Sequence, residues 1–268
     1  TDRATVLGLA GFEPDTYNHE KAEAALSQIR DTKTVHPADL PELVFNPRED
    51  LKFDFGPALP GHANGMILMA TDQQGDVILQ ETYYSIGGGF VVTEAELAEG
   101  KATDEGAPVP YPFKSGEEML QMAERSGKSI AEMKRANEHS RGGVENLNKG
   151  SARIWDVMNN CIQRGLENDG TLPGGLNVRR RAKAIHDSLV ADRGMNLAPP
   201  HTINDWISAY AMAVNEENAA GGRVVTSPTN GSAGVVPAVI RYYRDHCVGA
   251  TRQGCRDLLL TAAAIGGL

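Results

Sequence analysis

Cysteine is scarce in this sequence of 268 residues, which contains only three cysteines and two tryptophans. The cysteines are too few and too widely spaced for a disulfide framework, and no C-x-x-C motif joins Cys161, Cys247 and Cys255. Structural cysteines packed as small apolar residues are the ordinary explanation for this pattern. We therefore expect a reducing, cytoplasmic compartment and no metal ligand in this chain.

Clustered positive charge and long hydrophobic runs are also missing. The chain has 26 lysines and arginines against 35 aspartates and glutamates, which gives a formal net charge of -9. Since non-specific binding to nucleic acid requires clustered cations, we expect no nucleic-acid partner. No apolar run reaches the roughly 18 residues that a membrane-spanning helix needs, so we expect no membrane partner.

Two sequence patterns divide the chain near a segment rich in proline and charge. Residues 1–110 mix helix formers with two strand-like runs that flank a hairpin turn at residues 72–75. Asn18 is a candidate cap for a helix that includes residues 22–29. From Ser115 onward, large apolar residues recur at helical spacing, and Ser129 with Glu132 makes a capping box. The sequence predicts an α+β N-terminal domain over residues 1–110, a linker at residues 101–112, and an all-α domain over residues 115–268.

The most informative stretch is residues 215–238, NEENAAGGRVVTSPTNGSAGVVPA. It combines many hydrogen-bonding groups with little side-chain bulk, and glycine lets a backbone approach a ligand closely. The N–H groups at the start of the helix that follows Asn230 are unpaired donors, which favour an anion, and we expect them to face a cavity. Pro237 lacks an N–H group and suits a first helical turn, so this helix either starts near Val235 instead of Ser232 or is kinked at Pro237. This pattern indicates a binding site for a small acid such as an amino-acid carboxylate. A loop built only of cap and turn residues is the alternative, which the pattern leaves open.

Four polar residues at the start of that stretch, Asn215, Glu216, Glu217 and Asn218, are consecutive. On a helix they point in different directions, so at most two of them face one pocket. Two glutamates near a helix C-terminus are electrostatically unfavourable, which indicates a cationic partner, and Arg223 is the nearest candidate. An exposed last helical turn is the alternative.

Three further features have ordinary structural explanations. Gly87-Gly88-Gly89 lacks the phosphate-loop patterns and is typical of a tight bend between strands. Residues 179–181 are three arginines, which suit a solvated helix start, although one of them could clamp a carboxylate. His62 lies in a glycine-containing loop, where a histidine is more often a turn residue than a base.

The segment NEENAAGGRVVTSPTNG resembles the iron-sulfur L-serine dehydratases, or L-serine ammonia-lyases, of bacteria. Four other segments resemble the same family and occur in the family's order: TYYSIGGGF, VPYPFKS, CIQRGL and LPGGLNVRRRA, which begin at Thr82, Val109, Cys161 and Leu172. A set of long matches in register over nearly the whole chain is far more specific than any one short motif.

The resemblance implies β-elimination of L-serine to pyruvate and ammonia, with a role in amino-acid degradation and gluconeogenesis. It implies a regulatory or dimerisation-type domain over residues 1–110 and a catalytic domain over residues 115–268, acting as a homodimer. The substrate carboxylate would be bound by Thr229, Asn230, Gly231 and Ser232. The supporting residues would be Glu217, Asn218 and Arg223.

The resemblance also implies a [4Fe-4S] cluster that acts as a Lewis acid in the full-length enzyme, with ligands outside this chain. The family's chains are longer, so we expect an internal fragment that is truncated at both ends and inactive alone. A pyridoxal-phosphate dehydratase is a weaker alternative, because no lysine lies in a strong motif. An amino-acid-binding or regulatory module without catalysis is the alternative from another functional class.

Overall fold

A computed structural model describes residues 2–37, 40–87, 89–100, 108–193, 201–227 and 230–268. The chain forms two compact units, Thr1–Leu59 and Pro60–Leu268. The domain bounds expected from the sequence, 1–110 and 115–268, stay a prediction. Most of the expected linker lies outside the described residues, since these omit positions 101–107.

The described residues of the first unit form two helices and a two-stranded sheet. Its elements are α1 (Asp2–Leu9), α2 (His19–Thr32), β1 (Thr34–Val35) and β2 (Leu43–Val44). Helix α2 begins where the sequence predicts, because the Asn18 side chain accepts a hydrogen bond from the Lys21 amide at 3.0 Å. One face of α2 supplies Ala22, Leu26 and Ile29 to a small core.

The second unit opens with a three-stranded antiparallel sheet of strand order β3-β4-β5. Its elements are β3 (Gly65–Thr71), β4 (Val77–Gly87), β5 (Phe90–Thr93) and the helix α3 (Glu94–Glu99). The predicted hairpin turn is confirmed, since the Asp72 carboxylate accepts from the Gln74 and Asp76 amides at 2.9 Å each. The predicted bend between strands is confirmed at Gly87 and Gly89, while Gly88 lies outside the described residues.

The rest of the second unit is helical. Its helices are α4 (Gly116–Ser126), α5 (Ile130–Glu167), α6 (Ala182–Ala191), α7 (Thr202–Ala219), α8 (Val235–His246) and α9 (Arg252–Gly266). Within the described residues after Thr93, the only β-type pairing is an isolated bridge between Thr171 and Arg179. The predicted fold class, an α+β part followed by an all-α part, is therefore confirmed.

Helix α5 begins at a capping box and bends near its middle. The Ser129 hydroxyl accepts from the Glu132 amide at 3.2 Å, while the Glu132 carboxylate accepts from the Ser129 amide at 2.8 Å. This reciprocal cap is the one that the sequence predicts. Gly143 then leaves the helical region, with φ 77° and ψ 165°, and divides α5 into two segments. A positive φ is accessible to glycine without a steric penalty, which explains a glycine at the bend.

The main core lies where α5, α6, α7 and α8 pack together. Its buried members include Ile162, Trp206, Tyr210 and Val214. A Cβ atom at Gly165 of α5 would lie 2.3 Å from the backbone oxygen of Ala213 in α7. The two helices therefore approach so closely that only glycine fits at this position. No helix among the described residues is both long and apolar enough to cross a membrane.

Candidate functional site

Glu217, in the last turn of α7, is a buried carboxylate held by two guanidinium groups. Arg164 of α5 donates from Nε to Oε2 at 3.0 Å, and Arg180 donates from Nη1 to Oε1 at 2.9 Å. The side chains of Glu217, Arg180 and Arg164 are 6%, 9% and 41% exposed. Because each carboxylate oxygen receives a charged donor, the negative charge is compensated inside the protein.

The same glutamate fixes the chain as it leaves α7. The Gly222 amide donates to the Glu217 backbone oxygen at 2.8 Å, and Arg164 Nη2 donates to the Arg223 backbone oxygen at 3.0 Å. A Cβ atom at Gly222 would lie 2.8 Å from Glu217 Oε2, so a larger residue would collide with the carboxylate. Arg164 thus joins the Glu217 side chain to the backbone of the segment that leads toward Asn230.

Glu216, the preceding residue, serves a different helix. Its Oε1 accepts hydrogen bonds from the backbone amides of Arg181 at 2.7 Å and Ala182 at 3.3 Å. These amides open α6, so a carboxylate from α7 caps the positive end of α6. Glu217 is paired with two arginines and Glu216 with the first amides of α6, which explains why two glutamates occupy the unfavourable C-terminal turn of α7. They also agree with the expectation that neighbouring helical residues point in different directions.

The predicted substrate-binding turn is partly described. Thr229 lies outside the described residues, whereas residues Asn230–Ser232 form one exposed 3-10 turn. The Ala233 amide donates to the Asn230 backbone oxygen at 3.2 Å, so this donor is not available to a ligand. The Ser232 and Ser227 hydroxyl groups lie 3.2 Å apart. Asn218 contributes its backbone oxygen, which accepts from the Gly221 amide at 3.1 Å.

Helix α8 begins at Val235 and not at Ser232. Pro237 therefore falls in the first helical turn, where its missing N–H group leaves no hydrogen bond unmade. Gly234 precedes the helix, and a Cβ atom there would lie 2.6 Å from the backbone oxygen of Ala211 in α7. This close approach fixes the start of α8, and with it the end of the Asn230–Ser232 turn, against α7.

The sequence predicts a cavity in front of the Asn230–Ser232 turn. Two cavities in the second unit are lined by other residues. One, of about 470 Å³, lies beside α6 and includes Arg179, Arg180 and Lys183. The other, of about 230 Å³, lies between α5 and α9. The cavity at Asn230 stays a prediction, as does the assignment of residues 229–232 to substrate.

The three cysteine residues differ in burial. Cys161 is buried in the main core, and burial raises the pKa of its thiol to about 11. Such a thiol is protonated at neutral pH and is a poor metal ligand. Cys247 is exposed and Cys255 is half-buried, with burial raising the pKa of the Cys255 thiol. The described part of the chain contains no group of three potential metal ligands from histidine, cysteine, aspartate and glutamate.

Arg164 and Arg180 are the residues that sequence reasoning missed. For the arginines at residues 179–181 the sequence favours a solvated helix start over a carboxylate clamp, and no motif singles out Arg164. Two acidic residues at a helix C-terminus already signal that cations must lie nearby. That signal does not select the cations, because Arg164 and Arg180 lie 53 and 37 positions from Glu217. His62 has a local role, since its Nδ1 accepts from the Asn64 amide at 3.1 Å.

Comparison with known proteins places both parts of the chain in related families. Residues 124–268 match the family of serine dehydratase alpha chains, and residues 1–96 match the family of serine dehydratase beta chains. The chain is 41% identical to an L-serine dehydratase of Streptomyces coelicolor and 39% identical to L-serine dehydratase 1 of Escherichia coli. It is 36% identical to an L-serine dehydratase of Haemophilus influenzae.

Each of these alignments covers all of this chain but 58% of the relative. The alpha-chain match spans more than half of the sequence. It includes Glu216 and Glu217 with their hydrogen-bond partners, the Asn230–Ser232 turn and helices α6 to α9. The chain belongs to the serine dehydratase family.

Proposed function

We propose that this chain belongs to an L-serine ammonia-lyase that converts L-serine to pyruvate and ammonia. In this reaction the α-proton and the β-hydroxyl group leave as water, and the resulting aminoacrylate tautomerises to an imine. Water then hydrolyses the imine to pyruvate and ammonia. The observation that supports this proposal most is a turn of small polar residues, Asn230–Ser232, in a chain that aligns over its whole length with L-serine dehydratases. The activity is proposed for a protein of the relatives' full length.

The role we assign to the Asn230–Ser232 turn, together with Thr229, is to bind the substrate carboxylate. Asn230, Gly231 and Ser232 are exposed to solvent, and the Gly231 and Ser232 amides lie ahead of helix α8. Backbone amides and short polar side chains at such a position suit a carboxylate. An amide or hydroxyl donor to a charged oxygen fixes the orientation of the substrate and therefore of its α-carbon.

Glu217 would position the turn without contacting substrate. Arg164 links Glu217 of α7 to helix α5, and Arg180 links it to the segment before α6. Arg164 also donates to the Arg223 backbone oxygen, so the segment after α7 is bound to α5 as well. The segment from Gly221 to Arg223 is thereby fixed at its start. Gly234 fixes the other end of the loop against α7. A substrate-binding turn held at both ends loses less conformational entropy when ligand binds.

The finer assignments belong to the full-length enzyme and remain proposals. These are a [4Fe-4S] cluster with ligands outside this chain, an amino-acid substrate, a homodimer and a cytoplasmic location. The cysteines here do not fit a cluster, because Cys161 is a buried thiol of raised pKa and the described residues contain no group of three potential metal ligands. The chemistry assigned to the described residues is therefore limited to binding and positioning.

Replacement of Asn230 by alanine in the full-length enzyme tests this role. We expect kcat/KM for L-serine to fall by about tenfold or more, because a hydrogen bond to a charged group contributes about 1.5–3 kcal/mol. The melting temperature should change little, since Asn230 is exposed. Steady-state kinetics and thermal unfolding of the same preparation provide the two measurements.

Asn46→Ala is the matched control for that experiment. The Asn46 side chain accepts from the Arg48 amide at 3.2 Å and closes a local turn in the first unit. We expect this variant to keep the parent kcat/KM. Should Asn230→Ala keep its activity while its melting temperature falls, Asn230 is only a turn residue and the substrate assignment is wrong.

A further inference from the structure

The cavity of about 230 Å³ between α5 and α9 is formed by the bend in α5. Arg135 and His139 line it from the segment before Gly143, while Val144 and Leu147 line it from the segment after. A straight helix presents a single continuous ridge to its neighbour. The break at Gly143 instead places residues from two helical segments around one concave site, which α9 closes.

The polar lining of this cavity includes two arginines, Arg135 and Arg256. The other polar residues that line it are His139, Asn148, Ser151 and Gln253. Within the described residues, the side chains of Arg256 and His139 make neither a hydrogen bond nor an ion pair, and both are half-buried. Partly buried charges ordinarily have a partner because desolvation is unfavourable. A half-buried Arg256 without a protein partner therefore indicates an anionic ligand.

The carboxylate of Asp257, beside the cavity, already accepts from two side chains. Asp257 forms an ion pair with Arg135, and Gln253 donates to the same carboxylate oxygen at 2.9 Å. A guanidinium has five N–H donors, so Arg135 retains donors for a second acceptor. The lining therefore has a positive charge in a chain whose formal net charge is -9. This local sign reversal favours a small anion.

Part of the cavity wall is apolar. Val144, Leu147 and Leu260 line it together with the polar side chains. Inorganic anions gain nothing from such a wall, whereas the hydrocarbon part of an organic acid buries apolar surface there. We propose that this cavity is a binding site for a small organic carboxylate, with Arg256 and Arg135 holding the carboxylate. None of its lining residues belongs to the Asn230–Ser232 turn, so the site is separate from the proposed substrate site.

Isovalerate is a suitable probe because it combines one carboxylate with a short branched chain. Titration of the purified protein with isovalerate, followed by calorimetry and by thermal unfolding, should give saturable binding and a raised melting temperature. Isovaleramide, which has the same shape without the charge, should bind at least about tenfold more weakly, since charge-assisted hydrogen bonds are lost. Inorganic phosphate should also bind more weakly, because it cannot use the apolar wall.

The matched variants are Arg256→Gln and Arg252→Gln, which remove one charge each from α9. Arg252 is exposed and does not line the cavity. Arg256→Gln should weaken isovalerate binding by about tenfold or more, and Arg252→Gln should leave it unchanged. Absence of saturable isovalerate binding, or equal weakening in both variants, would overturn the proposal. Phosphate binding tighter than isovalerate would overturn the assignment to an organic carboxylate.

Discussion

Replacing Glu217 with alanine is expected to lower the free energy of unfolding by about 3–5 kcal/mol, because the change leaves a buried guanidinium without its counter-charge. Arg180 is the buried partner, and its Nη1 lies 2.9 Å from Glu217 Oε1. Arg164 is more exposed and can regain water, so most of the loss comes from Arg180. Urea denaturation followed by far-UV circular dichroism measures the change.

Glu145→Ala is the matched control for Glu217. Glu145 pairs with Lys149 on the surface of α5 at 2.7 Å, and both side chains are largely exposed. Exposed pairs of this kind contribute at most about 1 kcal/mol, so the control should be nearly neutral. Equal stability of the two variants would mean that the clamp of Glu217 by two arginines does not hold the helices together.

The second large effect is expected for Gly165→Ala in α5. The new Cβ atom would lie 2.3 Å from the Ala213 backbone oxygen, a distance that no rotamer change can relieve. Helices α5 and α7 would have to separate, with loss of packing around Ile162 and Tyr210. Overpacking of this kind usually costs about 1–3 kcal/mol, and a backbone collision falls at the upper end of that range or above it.

Gly150→Ala is the control on the same helix, because nothing lies within 4 Å of the position that its Cβ would occupy. Alanine is a better helix former than glycine by about 0.8–1 kcal/mol, so this variant should be slightly more stable than the parent. The two substitutions thus have opposite expected signs in denaturant unfolding. A Gly165→Ala protein as stable as Gly150→Ala would contradict the close crossing of α5 and α7.

Local features of the fold are the ones that the sequence predicts well. The cap at Asn18, the capping box at Ser129 and the hairpin turn at Asp72 all depend on residues within four positions of one another. Their hydrogen bonds follow from side-chain chemistry and backbone geometry alone. The start of α8 is an intermediate case. Pro237 restricts it to two possibilities, a late start or a kink, and packing of Gly234 against α7 accompanies the late start.

Features that depend on distant residues could not be predicted in the same way. The sequence indicates that Glu217 needs a cation, but its partners come from two other segments of the chain. Gly165 is similar, because an isolated glycine in a helix is only a weak signal until the neighbouring helix is known. Arg256 differs from Glu217 because it has no partner among the described residues. The sequence cannot reveal this, since it depends on how α5 and α9 pack around the cavity.

The central proposal is that this chain belongs to an enzyme that eliminates water from L-serine. The most direct measurement follows pyruvate and ammonia formed from L-serine by the full-length enzyme, prepared anaerobically. We predict formation of pyruvate and ammonia in equal amounts, with a rate that saturates with L-serine concentration. Saturable binding of L-serine without any pyruvate would contradict the proposal and would favour an amino-acid-binding module.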